Sequence, residues 1–326
     1  MTYKSDSKVG IVVVTFNRLN LLKESIDALR SQTYKNRDII IVNNGSTDGT
    51  GDWLASQKDL IVITQANLGG AGGFNRGMRF AAERDYDFCW VMDDDVICEP
   101  NALEELLNAT NVIQGDWGFL CSSVIDKNGN PCNVPIVINV LRNKYPDWPR
   151  YLEYGIVEVI RATFVSVLVP TKHIKKYGLP IKDFFIWGDD SEFTDRMAKH
   201  YPCFMIGKSK VTHMRELAKG LVFLKETNPN RIMMYKKMYR NGFYVARHCY
   251  PIKDFPTLRF YTRATLMMLE ALFKLKLKHF YVLLSGTFEA LFFHPSIEYL
   301  DLKEDNNSID PNLTPKSQLP NADQKL

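Results

Sequence analysis

Three short runs rich in β-branched residues recur near the start of the chain, and their alternation with helical segments limits the fold more than any other feature. They are Val9-Gly10-Ile11-Val12-Val13-Val14, Asp38-Ile39-Ile40-Ile41-Val42 and Leu60-Ile61-Val62-Ile63. Such runs read as strands buried on both faces, the pattern of parallel sheets. Between the first two, Leu21, Leu22, Ser25, Ile26 and Leu29 follow the helical period and predict a helix over 19–32; residues 48–57 supply a shorter one. Strand alternating with helix builds βαβ units, hence an open α/β sheet. A helix over 75–84 and a fourth strand over 86–92 extend the series.

Asp93-Asp94-Asp95 follows directly on the apolar run Phe88-Cys89-Trp90-Val91-Met92. It therefore sits at a strand's carboxyl end, where open α/β sheets bind their ligands. Three adjacent carboxylates repel unless a cation gathers them. Hard divalent cations such as Mg²⁺ or Mn²⁺ take oxygen ligands and often complete their shell with substrate phosphates, so a phosphorylated donor held through metal is the expectation. A polar turn is the competing reading.

A formal charge of +4 over 326 residues is small, which argues against a general nucleic-acid binder. The six cysteines, Cys89, Cys98, Cys121, Cys132, Cys203 and Cys249, show neither zinc-ligand spacing nor the density of a disulfide-stapled domain. Reduced thiols in a cytosolic protein are expected. The N-terminus shows no secretory pattern, and no stretch holds the ~18 apolar residues of a membrane span, so membrane contact is expected to be peripheral.

Further along, residues 101–108 read as a helix, and proline, asparagine and glycine punctuate 126–150. Trp148, Tyr151 and Tyr154 fit a sugar or lipid site and a satellite core equally well. Glu158 to Val169 returns as strand material, and Phe184-Phe185-Ile186-Trp187-Gly188-Asp189-Asp190-Ser191-Glu192-Phe193 leads into a helix ending near His200. From Arg231 the chain turns basic, aromatic and helical: Lys236, Lys237, Arg240 and Arg247 interleave with Tyr235, Tyr239, Phe243 and Tyr244. The segment 258–293 continues this with Arg259, Arg263, Lys274, Lys276 and Lys278 against Glu270 and Glu289. Basic amphipathic helices rest on anionic membrane surfaces; helices packed on the main domain with a solvated basic face satisfy the same pattern. The stretch 303–326 is polar and reads as a disordered tail.

Thr15-Phe16-Asn17-Arg18 after the first strand, Val42-Asn43-Asn44-Gly45-Ser46-Thr47-Asp48-Gly49-Thr50 after the second, and the acidic triplet after the fourth together resemble the family 2 inverting glycosyltransferases. The match in spacing runs from Val9 to about Leu107. Two further motifs, Asn67-Leu68-Gly69-Gly70-Ala71-Gly72-Gly73-Phe74-Asn75-Arg76-Gly77 and Trp187-Gly188-Asp189-Asp190-Ser191-Glu192-Phe193 with His213 downstream, look like the bacterial galactofuranosyltransferase and rhamnosyltransferase branch. The resemblance implies a GT-A nucleotide-sugar-binding domain with a mostly parallel central sheet over 1–220, its donor half about 1–108 and its acceptor half about 109–220. A basic amphipathic helical region over 221–302 and the tail over 303–326 would follow.

Residue chemistry and resemblance then assign roles. Thr15, Asn17 and Arg18 offer hydroxyl, amide and guanidinium groups suited to a base edge and to phosphate, although such a loop also reads as the approach to a helix. Asn44 matches the family's pyrimidine contact, while Asn43 stands where many members carry an aspartate. Asn67, Gly70, Gly73 and Arg76 are expected at the diphosphate, where glycines let backbone amides approach. This is no dinucleotide fingerprint, since the first strand opens into a loop without glycine, and no P-loop lysine pattern is present. By resemblance Asp93 and Asp94 bind the donor, and Asp93, Asp95 and His213 hold Mn²⁺ or Mg²⁺, the histidine leaning toward manganese. Asp190 is the candidate general base for an inverting transfer, with Trp187, Asp189 and Glu192 at the acceptor. Asp189 and Glu192 also have capping-box spacing, so a purely helical role for this acidic segment competes.

The implied reaction moves a sugar, best galactofuranose from UDP-galactofuranose, onto a lipid-linked or growing cell-surface glycan. A rhamnosyltransferase using dTDP-rhamnose is the alternative within the same chemistry; a metal-dependent phosphoester hydrolase and a noncatalytic nucleotide-sugar-binding module are alternatives outside it. The expected location is the cytoplasmic face of the cell membrane, with peripheral attachment through the basic C-terminal helices.

Overall fold

The computed structural model describes residues 6–84, 86–138, 141–142, 145–214, 223–250 and 255–300. The tail expected over 303–326 lies outside them, as does 215–222, where the two expected regions meet. In chain order the elements are β1 (Val9–Thr15), α1 (Leu19–Arg30), β2 (Arg37–Asn43), α2 (Thr50–Ala55), β3 (Leu60–Thr64), α3 (Gly69–Ala82), β4 (Phe88–Asp93) and β5 (Val96–Cys98). Next come α4 (Ala102–Ala109), β6 (Leu120–Asp126), β7 (Ile136–Val137), β8 (Leu141–Arg142), β9 (Tyr145–Pro146), β10 (Ile156–Arg161), β11 (Val167–Pro170), α5 (Thr171–Tyr177), α6 (Asp189–Ala198) and β12 (Cys203–His213). Three long helices follow: α7 (Pro229–Cys249), α8 (Pro256–Phe273) and α9 (Leu277–Ala290).

A ten-stranded sheet orders its main path β3-β2-β1-β4-β11-β6-β12-β10-β7, with β5 paired to β12. The first four neighbours are parallel, as the βαβ alternation requires. The glycosyl-acceptor half expected from sequence is mixed instead: β11 runs antiparallel to both β4 and β6, and β6 is parallel to β12. The strand expected over Glu158 to Val169 accordingly divides, β10 pairing with β12 while β11 enters the sheet beside β4.

Side-chain alternation splits the core into two layers. Val9, Ile11 and Val13 of β1 pack with α1 and α4 through Leu22, Ile26, Leu103 and Leu106. Val12 and Val14 face α3 and α6 through Phe74, Met78, Phe193 and Met197. A strand buried on both faces needs no polar face, which is why β1 is written almost entirely in valine and isoleucine. Tyr151 belongs to the first layer, so one of the three punctuating aromatics is core, whereas Tyr154 is exposed.

The glycine run was expected to act as an open loop before a helix beginning near residue 75; it is the first turns of α3 itself. A methyl at Gly77 would lie 2.2 Å from Val12 Cγ1, one at Gly73 2.3 Å from Val14 Cγ1, and one at Gly69 2.0 Å from the Phe185 carbonyl oxygen. These three glycines recur every fourth residue and let the helix lie directly on β1 and on the segment before α6. Gly70 meets nothing within 4 Å.

Among the described residues no helix is long and apolar enough to cross a membrane.

Candidate active site

The parallel register aligns three strand ends. Thr15 pairs with Asn43 and Val14 with Asp93, so the β1, β2 and β4 loops emerge side by side at the carboxyl edge. Thr15 Oγ1 donates to Asp94 Oδ2 at 2.6 Å, and Arg18 Nη1 donates to Asp95 Oδ2 at 2.6 Å and to Asp94 Oδ1 at 3.4 Å. The loops also lock to one another. Asn17, with φ of 53°, accepts from the Thr47 amide at 2.7 Å, and its own amide donates to Ser46 Oγ at 3.0 Å. Asn44 is buried, with its amide nitrogen on the Gly69 carbonyl at 3.0 Å and its oxygen accepting from Gln65 at 2.8 Å. Asn67 Oδ1 receives the Gly69 amide at 2.9 Å, opening α3.

Asp93, Asp95 and His213 come together although 118 positions separate Asp95 from the histidine in the sequence. The pairing of β5 with β12 does this: His213 stands opposite Val96, and the Met214 amide donates to the Asp95 carbonyl at 2.8 Å. One ligand atom from each of the three lies within 4.8 Å of the others. His213 Nε2 is 3.1 Å from Asp95 Oδ1, and its Nδ1 faces Asn133 Oδ1 at 2.9 Å. Asn133 Nδ2 donates to Thr163 Oγ1 at 3.2 Å, which turns the amide oxygen toward the ring. In the neutral imidazole Nδ1 therefore carries the proton, and the Nε2 lone pair meets a carboxylate oxygen. Two acceptors at that spacing need a cation between them, either a second ring proton or a metal ion. Apart from the imidazole, Asp95 Oδ1 is buried without a hydrogen-bond partner among the described residues. Two carboxylates and an imidazole whose other nitrogen is anchored fit a divalent ion such as Mn²⁺ or Mg²⁺.

The electrostatics point the same way. Burial, then the charges of Asp95 and Asp94, push the Asp93 carboxyl well up, and Asp189 adds to the push. Burial raises Asp94 to about 6 against the pull of Thr15 and Arg18. For Asp95 burial acts upward but is outweighed by His213 and Arg18, which hold it below the usual carboxylate range. This is a negative pocket that Arg18 neutralises only in part.

Asp189 and Asp190 form the second acidic pair, at the start of α6. The chain reaches them through Phe185 and Trp187, both with positive φ (64° and 63°), and Gly188 at 97°. Left-handed conformations at two aromatic residues persist only where the surroundings impose them. Asn241 of α7 imposes this one: its single amide nitrogen donates to the carbonyls of Phe184, Ile186 and Trp187, each at 2.9 Å. Arg240 adds a donor to the Asp183 carbonyl at 2.7 Å, and the Lys237 ammonium lies 3.4 Å from the Phe185 ring centre. The Ala71 amide of α3 donates to the Phe185 carbonyl at 3.1 Å, so this segment covers the start of the glycine helix. Burial and then the neighbouring Asp190 raise Asp189 to about 8. Burial also raises Asp190, while the Ser191 amide and Arg161 draw it back.

Several expected residues take other positions. The capping box is not formed: Gly188 is the cap, Asp189 the first helical residue, and no side-chain cap is made. Glu192, expected at the acceptor, is buried in a two-pronged pair with Arg196 at 2.8 and 2.9 Å, whose guanidinium also binds the Gly178 and Leu179 carbonyls. Gly73, expected at the diphosphate, is enclosed by Val14 and Asn44. Arg76 is exposed and lines a separate cavity of about 420 Å³ with Arg79, Lys182 and Glu298. It does not join the carboxylates because it lies two turns into α3, which runs back along β1 from the strand ends, Gly73 meeting Val14 and Gly77 meeting Val12. Trp187 is half-buried and packs on Tyr235 with ring centres 5.2 Å apart.

Two residues of the site escaped the sequence reading. Asn133 lies in the stretch punctuated by proline, asparagine and glycine, 80 positions from His213, and no sequence signal marks it. Asn241 carried a faint one, a poor helix former in the middle of a long basic helix.

Residues 10–115 match the model of the family Glycosyl transferase family 2. An uncharacterized glycosyltransferase of Rickettsia prowazekii is 36% identical over 104 residues, 32% of this chain and 32% of the relative. The galactofuranosyltransferase GlfT1 of Mycolicibacterium smegmatis is 38% identical over 89 residues, 27% of this chain and 30% of the relative. The chain thus spans about a third of the length of these curated relatives. Among solved structures, residues 1–349 of S. aureus TarS superpose with a TM-score of 0.53 at 15% identity, over 74% of this chain and 65% of the other. GalNAc-T7 crystallised with UDP, GalNAc and Mn²⁺ does so with a TM-score of 0.53 at 13% identity, over 74% and 51%. The fold is GT-A, and residues 10–115 of the chain carry a domain that matches glycosyl transferase family 2.

Proposed function

We propose that this protein transfers a sugar from a nucleoside diphosphate donor, with inversion, onto a glycan or lipid-linked glycan, and that the donor is UDP-galactofuranose. The observation that carries the reading is the meeting of Asp93, Asp95 and His213 at the sheet edge, with the charge of Asp189 adding to the upward push on Asp93. A divalent cation held by these three residues would bind the diphosphate and offset the charge that develops on it as it leaves. Arg18 supplies a further positive group beside it. Thr15, Asn17, Asn44 and Asn67 set the loop shapes around the base and ribose, and the open backbone at Gly70 admits the diphosphate.

Asp190 receives the acceptor hydroxyl's proton as that oxygen attacks the anomeric carbon from the face opposite the diphosphate. Its raised proton affinity suits that task. Asp189 and Trp187 orient the acceptor. Support for the donor comes from GlfT1, named a galactofuranosyltransferase, and support for UDP and Mn²⁺ from the GalNAc-T7 complex. The decisive experiment incubates the protein with UDP-galactofuranose, dTDP-rhamnose and other nucleotide sugars, Mn²⁺ or Mg²⁺ and a lipid-linked acceptor, with mass analysis of the products. Galactofuranose added only when acceptor is present supports the reading. Diphosphate cleavage that proceeds equally without acceptor marks a hydrolase instead.

A further inference from the structure

The C-terminal helices present an apolar face that the rest of the chain leaves uncovered. Helix α8 turns Phe260 and Met267 toward α7, where they meet Phe243 (ring centres 6.0 Å apart) and Tyr239 (hydroxyl to sulfur 3.7 Å). Helix α9 lies so close to α7 that a methyl at Gly286 would come 2.6 Å from the Lys236 carbonyl oxygen. With 3.6 residues per turn, the opposite sides of both helices point away from α7. Those sides are not polar. Leu266, Leu269 and Phe273 of α8 are 61%, 57% and 89% exposed, and Leu277, Tyr281 and Phe288 of α9 are 66%, 56% and 59% exposed. A soluble monomer rarely keeps so extended an apolar ridge in water.

Cations border the ridge. Arg259, Arg263 and Lys278 are exposed and make no ion pair among the described residues. Lys274 and Lys276 stand beside the hairpin tip, the first paired with Glu270 and the second bound to the Leu224 carbonyl. Apolar side chains ringed by lysine and arginine match the interface of an anionic bilayer, which takes the first into its acyl boundary and attracts the second. A second copy fits less well, since a two-fold contact through this face would bring the same unpaired cations together.

We propose that the α8–α9 face is the protein's docking surface for an anionic lipid bilayer. Helix α7 then links that surface to the segment 184–187 through Asn241. Only this last step rests on the sugar-transfer reading, because it sets the acceptor-binding segment beside a lipid-linked acceptor.

The test is flotation of the full chain with phosphatidylcholine vesicles lacking or containing phosphatidylglycerol. Binding is expected only with phosphatidylglycerol, and it falls as salt rises. The exposed double variant Phe273→Glu with Leu277→Glu is expected to lower partitioning at least tenfold, and Arg259→Ala with Arg263→Ala and Lys278→Ala roughly a hundredfold. Retained circular dichroism and UDP binding show that both variants fold. Asp95→Ala, which disables the donor site, is expected to float like the parent, so failed transfer and failed docking are told apart. No flotation at low salt, or flotation unchanged in the tip variant, overturns the proposal. So does a stable dimer that the tip variant dissociates in a protein that ignores vesicles.

Discussion

His213 Nε2 and Asp95 Oδ1 face each other across 3.1 Å, two groups that accept hydrogen bonds unless a cation stands between them. Asn133 holds the ring's other nitrogen and so decides which lone pair the site sees. His213→Ala and Asp95→Asn are expected to abolish Mn²⁺-dependent enhancement of UDP binding. Asn133→Leu, which keeps all three ligands, should weaken metal affinity roughly 10- to 100-fold, the usual effect of removing such a support. Titration calorimetry with Mn²⁺ measures both, and an Asn133→Leu protein with parental affinity would remove the asparagine from the site.

Asp190→Asn is expected to lower the transfer rate by about 10² to 10⁴, the ordinary contribution of a general base, with UDP affinity nearly unchanged. The two readouts separate proton acceptance from donor binding. Loss of UDP binding in parallel with the rate would place Asp190 on the donor instead.

Gly70 and Gly77 differ in one respect that a single methyl exposes. At Gly77 it would strike Val12 at 2.2 Å, so Gly77→Ala should cost about 1–3 kcal/mol by overpacking the helix against β1. At Gly70 it meets nothing, and Gly70→Ala should leave stability within about 0.5 kcal/mol or raise it. Urea unfolding compares them. Weaker UDP binding by a fully stable Gly70→Ala protein is the further outcome expected if the diphosphate passes that backbone.

Asn241→Leu removes the donor shared by three carbonyls and should destabilise the protein by about 1–3 kcal/mol. Its larger expected effect is on acceptor KM, through loss of the conformation at Phe185 and Trp187. Equal KM values for variant and parent would show that the segment keeps its shape without α7.

Asp189 makes stability depend on pH in a stated direction. Its folded carboxyl stays protonated up to about pH 8, whereas the unfolded one ionises near about 4. Between those limits the native state holds the extra proton, so stability is full at the acid end and is lost as pH rises. Asp189→Asn removes this dependence. Relative to the parent, the variant should gain stability from about pH 4 to about pH 8 in urea melts with a metal chelator present. A constant difference would contradict the assignment.

The parallel half of the sheet was legible in the sequence because its strands are runs of β-branched and apolar residues and α1 repeats every 3.6 residues. Strands β1, β2 and β4 are buried on both faces as such runs suggest, whereas β3, at the sheet edge, leaves Val62 and Thr64 exposed. That periodicity also delivered the acidic triplet to a strand end, and the spacing of the loops led to the family. The mixed half was less legible: Glu158 to Val169 is one apolar stretch by composition, but it forms two strands in different places because its partners β4, β6 and β12 come from distant parts of the chain.

By itself, then, the sequence determined the βαβ frame, the carboxylates at its edge and the pair Asp189-Asp190, since local periodicity and adjacency are enough for all of these. Only the tertiary structure decided that His213 meets Asp95 through the β5 and β12 pairing, that Asn133 orients it, and that Asn241 fixes the approach to Asp190. It also turned the glycine run into packing and sent Arg76 elsewhere. The physical reason is the same in each case: a contact between residues far apart in the chain depends on register and helix placement, which the summed packing of the whole core sets and no local pattern carries.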